Sequence, residues 1–249
     1  MKQLSTKLKI VYVLEYIVYY LTSYFKFKYG IIHNNIANIT ITAHTGCNGK
    51  EWNSIESLED GYKSGAQILE FDLYFDKNGV PCLSHGKLKG NEIKLEDAFK
   101  FFANISVVKG NIDVKNVDNM PAVFDLIKSY NLSDRVFFTG VKEKFVEAVK
   151  KGCPGIKYYL NYRPKFLKLN SQQYLDQLVD IVKKNGALGI NMRHDYLSKK
   201  LIGKFHEHGL LVSVWTVDSE YYMLRAMYYG PDNITTKRPS KLRKLISKY

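Results

Sequence analysis

The sequence predicts an α/β fold: a closed (β/α)8 barrel with an extra helical segment at its N-terminus. Three observations lead there. Beyond residue 38, eight short apolar runs alternate with amphipathic stretches, and alternation of that kind builds parallel βαβ units. The chain has 249 residues, close to the length of about 250 that one such barrel takes, which favours closure over an open sheet. No internal repeat or linker divides residues 39–249, so they are expected to form one domain, with 1–38 as a helical extension.

The elements follow in order. Within residues 8–27 (LKIVYVLEYIVYYLTSYFKF), Ile10, Leu14, Ile17 and Leu21 share a helical face with Val11, Val18 and Phe25 beside them, while Lys9, Glu15, Ser23 and Lys26, with Lys7 just before the segment, fall mostly elsewhere. The period is that of an amphipathic helix. Tyr12, Tyr16, Tyr19, Tyr20 and Tyr24 add apolar rings with polar tips. Such a helix can dock on the domain or lie in a membrane interface. A cleaved signal fits less well, because Glu15 breaks the apolar run and no small-residue cleavage site follows. The strand-like runs are 39–43, 68–73, 111–114, 135–138, 156–160, 187–191, 210–215 and 233–235. After the second, DKNG (76–79) marks a turn and VPCLSH (80–85) a short return strand. Among the helices, 171–185 places Tyr174, Leu175, Leu178, Val179 and Val182 on one face, with Ser171 as N-cap and Gly186 closing the end.

Composition narrows the function classes. Thirty-seven Lys and Arg against 24 Asp and Glu give a net charge of +13, which concentrates anions by long-range attraction. Phosphate-bearing small molecules and anionic headgroups fit. No helix-turn-helix, zinc-finger or RNP-like signature supports a nucleic-acid partner. Three cysteines (Cys47, Cys82, Cys153), odd in number and without C-x-x-C spacing, exclude a disulfide framework. Charges interrupt every apolar stretch well short of the ~20 residues a membrane span needs, so the expected location is cytoplasmic or membrane-peripheral.

In a barrel of this kind chemistry sits at the C-terminal ends of the strands. That rule collects His44 after the first strand, Glu70 and Asp72 on the second, Asp113 and Lys115 at the end of the third, and Trp215 at the end of the seventh. Glu70 and Asp72 are two apart, as are Asp113 and Lys115, so each pair points to one side. Carboxylates inside a barrel are costly to bury unless paired or bound to a cation. Three of them converging make a hard oxygen site for one divalent cation, Mg2+ or Ca2+. His44 and His85 then flank it, with imidazoles suited to general acid–base work near neutrality. Taken singly, each residue has an ordinary explanation as alternation, surface or packing; their joint placement on one face is the argument. His206 and His208 belong to a helical stretch with poor metal spacing and are expected to be structural, while His33 and His194 have no assigned role.

The segments AHTG (43–46), NS (53–54) and GAQILEFDLYFDKNGVPCLSHG (65–86), then NIDVK (111–115), VWTVD (214–218) and DNITTKRP (232–239), resemble the glycerophosphodiester phosphodiesterase family in content and order from about residue 39 to 245. The resemblance implies a (β/α)8 barrel that cleaves phosphodiesters with a metal ion. It implies His44 and His85 as the acid–base pair, Glu70, Asp72 and Asp113 as metal ligands, Lys115 as a phosphate contact and Trp215 as a pocket wall. The implied substrates are glycerophosphodiesters, lysophospholipids or a glycerophosphate-containing polymer.

The departures from the family pattern are specific. Thr45 stands where the family has an Arg that can clamp phosphate through two hydrogen bonds, Trp52 where it has a Glu, Gly86 and Thr236 where it has Asp, and Asp113 where it has Glu. His85 and Asp113 are too close in sequence for the inserted subdomain of many relatives. Loss of the Arg, the H-G after the second His, the Asp-x-Lys and the W-T-V-D are similar to the sphingomyelinase D-like phospholipases, although the cysteine-rich loop of that branch is missing. An alternative is therefore phospholipase D-like chemistry, in which a substrate hydroxyl attacks and leaves a cyclic phosphate. A third reading, motivated by Thr45, Trp52 and Thr236, is a catalytically weakened barrel that binds anionic headgroups. Lys157, Arg193 or a residue near Lys87–Lys89 could replace the lost arginine.

Overall fold

The structure is a computed structural model that describes residues 6–30, 36–86, 88–105 and 107–249, with the side chains of 6–16, 19 and 37 excepted. His33 and Lys87 lie outside the described residues. The strands are β1 (Thr40–Ala43), β2 (Ile68–Phe75), β3 (Pro81–Leu83), β4 (Lys109–Val114), β5 (Val136–Val141), β6 (Tyr158–Asn161), β7 (Gly189–Arg193), β8 (Leu211–Trp215) and β9 (Asn233–Thr236). Eight of them pair in parallel in the order β1-β9-β8-β7-β6-β5-β4-β2, and β2 returns to β1, which closes the barrel. β3 is the exception. It runs antiparallel on the far half of β2, with Leu73 opposite Leu83, and so carries the chain back to His85 at the barrel's C-terminal rim.

The helices are α1 (Thr6–Gly30), α2 (Ile55–Lys63), α3 (Leu95–Ala103), α4 (Met120–Ser129), α5 (Val146–Gly152), α6 (Gln172–Asn185), α7 (Lys199–Glu207), α8 (Glu220–Tyr229) and α9 (Pro239–Ile246). Local chemistry sets their ends. Ser54, Ser171, Ser198 and Ser219 each accept a hydrogen bond from a backbone N–H three residues on, at the starts of α2, α6, α7 and α8. Gly186 ends α6 in the left-handed conformation, and the five apolar residues expected to face inward from that helix are its buried ones.

β2 shows how one strand serves core and site together. Parallel strands are covered on both faces, and here Phe71, Leu73 and Phe75 alternate with Glu70 and Asp72, all of them buried. The odd positions pack among the helices, where Phe71 meets Phe102 of α3. Fully burying a side chain of this kind contributes about 1.5–3 kcal/mol. The even positions turn into the barrel. Below them the interior is polar but paired: Thr42 donates to Asn233 Oδ1 at 2.7 Å, and Asn233 Nδ2 donates to Ser213 at 2.9 Å.

α1 packs along α8 in the same direction. Tyr20 stacks on Tyr221, Tyr24 Oη donates to Glu220 Oε1 at 2.9 Å, and Phe27 is buried among Tyr221, Tyr228 and Tyr229. On its other side Ile17, Val18, Leu21 and Phe25 are exposed. No described helix is long and apolar enough to cross a membrane.

At the site, β5 runs further than its apolar pattern. β5 extends past the RVFF run to Val141, adding Thr139, Gly140 and Val141. The apolar signal stops at Phe138 because the last part of the strand borders a polar cavity.

Candidate active site

The barrel's C-terminal end holds a cavity of about 540 Å3 whose wall includes His44, Glu70, His85, Asp113, Lys115 and Trp215. Six of the seven residues singled out in the sequence thus share one cavity. The seventh, Asp72, is almost fully buried beneath it and touches three of its surroundings.

The register explains the convergence. β2 and β4 are paired so that Glu70 lies opposite Asn111 and Asp72 opposite Asp113, which sets the carboxylates side by side. Glu70, Asp72 and Asp113 each offer an oxygen within 4.8 Å of the others. Lys115 neutralises two of the three: its Nζ is 2.8 Å from Asp72 Oδ1 and also bonds Asp113 Oδ2. Among the described residues, no lysine or arginine lies within ion-pair distance of Glu70. Its Oε2 accepts the Thr45 N–H at 2.8 Å and lies 3.9 Å from His44 Nδ1.

Charge placement sets the protonation states. Burial, with Asp72 and Asp113 facing it, pushes the Glu70 carboxyl well above the usual range. Burial also opposes ionisation of Asp72, but the Lys115 ammonium, the Asn53 amide and His85 outweigh it and hold that carboxyl below its ordinary value. Lys115 is raised: burial works against its charge, and Asp113 and Asp72 overcome it. His44 is lowered by burial, against the pull of the Thr45 carbonyl and Asp72.

Both imidazoles are oriented through Nδ1. His44 Nδ1 donates to the Thr45 carbonyl at 2.6 Å, and His85 Nδ1 is 3.1 Å from Asp72 Oδ2. A proton held on Nδ1 leaves Nε2 as the nitrogen that exchanges protons. Trp52 stands edge-on between the rings, at centroid distances of 5.3 Å to His44 and 6.0 Å to His85.

The departures at Thr45 and Trp52 have structural consequences. Thr45 is buried, and its hydroxyl accepts the Asn53 N–H at 2.5 Å. That contact fixes Asn53, whose amide clasps Asp72 from both sides: Asn53 Nδ2 donates to Asp72 Oδ2 and Asn53 Oδ1 accepts the Asp72 N–H, each at 2.9 Å. The indole of Trp52 carries the ammonium of Lys237 4.2 Å above it, so a cation reaches the cavity from the end of β9. Thr236 is fully buried and donates to Asp218 at 3.2 Å. Of the suggested replacements for the arginine, Lys157 precedes β6 and lies at the opposite end of the barrel. Arg193 bonds Asp195 and lines a side depression with Lys142 and Trp215. Lys89 borders a cavity that shares Trp52 and His85 with the site.

Sequence reasoning missed Asn53's clasp, Lys237, and the wall formed by Thr139, Asn161 and Asn191. Thr139 donates to Asn111 Oδ1 at 2.8 Å and to Asp113 Oδ1 at 3.1 Å. Asn161 accepts from Gly140 N and from Asn191 Nδ2. The strand-end rule that found Asp113 applies equally to these three. His206 pairs with Asp232 at 2.9 Å and His208 lies 3.2 Å from Lys183, both away from the site, and His194 packs against Tyr222.

The sequence matches the glycerophosphoryl diester phosphodiesterase family over residues 86–241, more than half of the chain. The chain belongs to that family. Its members are phosphoric diester hydrolases, and Asp113, Lys115 and Trp215 fall inside the matched range while His44, Glu70, Asp72 and His85 precede it. No curated protein is significantly similar in sequence. Solved structures share the fold. A glycerophosphoryl diester phosphodiesterase assigned in Silicibacter pomeroyi superposes with a TM-score of 0.72 at 15% identity, covering 84% of this chain and 93% of that one. One assigned in Galdieria sulphuraria gives 0.68 at 20%, covering 84% and 98%. An Oleispira antarctica phosphodiesterase in complex with the product sn-glycerol-3-phosphate gives 0.70 at 15%, covering 84% and 96%.

Proposed function

We propose that residues 39–249 form a metal-dependent phosphodiesterase that hydrolyses glycerophosphodiesters or related lysophospholipid or glycerophosphate substrates, with His44 and His85 as its acid–base pair. The observation that carries this reading is the trio Glu70, Asp72 and Asp113 set between two oriented imidazoles. The donor set suits a hard divalent cation, Mg2+ or Ca2+, and the buried Glu70, repelled by its neighbours, is what such an ion would relieve. When bound there by the three carboxylates, the cation would supply positive charge for a non-bridging phosphate oxygen.

The chain's own residues do the rest. Lys115, after β4, and Lys237, after β9, both line the cavity and offer ammonium groups to the phosphate. His44, kept neutral by burial, takes a proton from the attacking water as its oxygen bonds to phosphorus. The bond from phosphorus to the leaving oxygen breaks, and His85, whose Nδ1 faces Asp72, protonates the departing alkoxide through Nε2. One diester and one water give one phosphate monoester and one alcohol. The Oleispira enzyme's sn-glycerol-3-phosphate supports glycerol phosphate as the monoester. Trp215, 36% exposed at the rim, would flank the leaving group. The exposed stripe of Ile17, Val18, Leu21 and Phe25 supports a peripheral membrane contact through residues 8–27.

Phosphorus-31 NMR of the purified protein with glycerophosphocholine and lysophosphatidylcholine, each with Mg2+, Ca2+ or EDTA, tests this. A monoester resonance that needs the cation is expected. A cyclic phosphate would instead establish intramolecular attack by a substrate hydroxyl, and no turnover would favour a binding module.

A further inference from the structure

A second depression, of about 890 Å3, adjoins the catalytic cavity and shares Trp52, Asp218 and Lys237 with it as a common wall. Five cations line it: Lys50 from the loop after β1, Lys237 and Arg238 after β9, and Lys241 and Lys244 on α9. Asp218 is the one carboxylate in that lining, and it already accepts the Lys237 N–H at 2.7 Å and the Thr236 hydroxyl. Lys241 is paired with Glu220 at 3.1 Å. Among the described residues, no carboxylate lies within ion-pair distance of the side-chain nitrogens of Lys50, Lys237, Arg238 or Lys244. α9 begins at Pro239 with no acidic residue in its first turn, and Arg238, Ser240 and Lys241 at that end line the depression, so the positive end of the helix dipole borders it.

From this we infer that the depression is a subsite for a second phosphate, and that the substrate is a phosphodiester carrying another phosphate beside the scissile one. The inference rests on the phosphodiesterase reading of the neighbouring cavity. Electrostatics alone would put an anion here; the shared wall makes the anion part of the substrate. Lys237 stands on Trp52 between the two spaces, so a phosphate under attack at His44 and a phosphate one glycerol further along would lie on either side of one ammonium. Arg238 offers a planar fork and Lys50 and Lys244 point charges, a set that binds a phosphate dianion or diester without fixing the organic group attached to it. Mono-phosphate substrates would leave this surface uncontacted.

The test compares two synthetic substrates that differ by one repeat, glycerol–phosphate–glycerol and glycerol–phosphate–glycerol–phosphate–glycerol, under saturating divalent cation. An exposed cation–phosphate pair contributes at most about 1 kcal/mol, or about fivefold, so the longer substrate should show a kcat/KM higher by about that factor for each engaged cation. The gain should appear in KM with kcat little changed, as for binding felt equally before and in the transition state, and should shrink as salt is raised. In an Arg238→Ala, Lys244→Ala double variant, at exposed positions where substitution rarely disturbs folding, the ratio should fall to the statistical advantage of carrying two diesters. A wild-type ratio no larger than that advantage overturns the inference. So does a ratio the double variant preserves, or a loss confined to binding of phosphatidylglycerol vesicles, which would make the cations a membrane surface. Absence of turnover with both substrates would instead strike the phosphodiesterase reading itself.

Discussion

Replacing Glu70 by Gln should separate what the carboxylate costs the empty site from what it contributes to the filled one. Glu70 is 5% exposed, and its pKa is raised by burial and by Asp72 and Asp113. A group whose folded pKa lies above its unfolded value lends stability that is fully present below the unfolded value and is lost as pH rises through the folded one. In EDTA, the wild type should therefore lose stability relative to the variant as pH climbs above the ordinary carboxyl range. Gln retains an oxygen for the Thr45 N–H, held at 2.8 Å, so the substitution leaves no donor stranded. Cation binding should reverse the ranking. At a hundredfold excess over Kd, an ion stabilises the folded state by about 2.7 kcal/mol, which for a domain of this size corresponds to roughly 5–11 °C in Tm. Differential scanning calorimetry from acid to neutral pH, with EDTA and with Mg2+ or Ca2+, reads both effects. The wild type should gain those degrees with the cation, and the variant should gain almost none while matching or exceeding the wild type in EDTA. A variant several degrees less stable in EDTA at neutral pH, yet still stabilised by the ion, would refute the ligand assignment.

Other perturbations follow from the same geometry. His44→Ala or His85→Ala should each lower kcat by about 10²–10⁴, with the far-UV circular dichroism melt unchanged; a variant retaining most of its turnover would remove that residue from the acid–base pair. Asn53→Ala removes both halves of the clasp on Asp72 and puts Ala at a φ of 59°. Cation affinity, read by calorimetric titration, should weaken by about 10–100-fold, and Asn53→Asp should not restore it. Gly140→Ala would bring a Cβ to 2.4 Å from Asp113 Oδ1 and from the Val114 carbonyl at a φ of +71°. Left-handed strain and overpacking together should cost about 2–5 kcal/mol, visible as a lower urea midpoint.

How far the sequence reached can be traced residue by residue. Glu70, Asp72, Asp113, Lys115 and Trp215 were legible because strand periodicity and the barrel's polarity fix which end and which side they occupy. Lys237 was not: it follows the last strand within a basic run that includes Arg238 and Lys241, and nothing in composition separates a cation seated over Trp52 from one in solvent. Asn53 was illegible for a different reason. Its reach to Asp72 depends on a positive φ and on the Thr45 hydroxyl, which are tertiary facts. The end of β5 escaped because Thr139 and Gly140 break the apolar pattern at the point where the strand meets the site. The same polarity makes them part of it.

Hydrolysis in oxygen-18 water, with the products weighed by mass spectrometry, tests the proposed chemistry most directly. With glycerophosphocholine and a divalent cation, one heavy oxygen should enter the phosphate monoester and none the released alcohol; EDTA should abolish the product, and His44→Ala should slow its formation by about 10²–10⁴. Label in the alcohol, or full turnover in EDTA, would contradict cation-assisted attack of water on phosphorus.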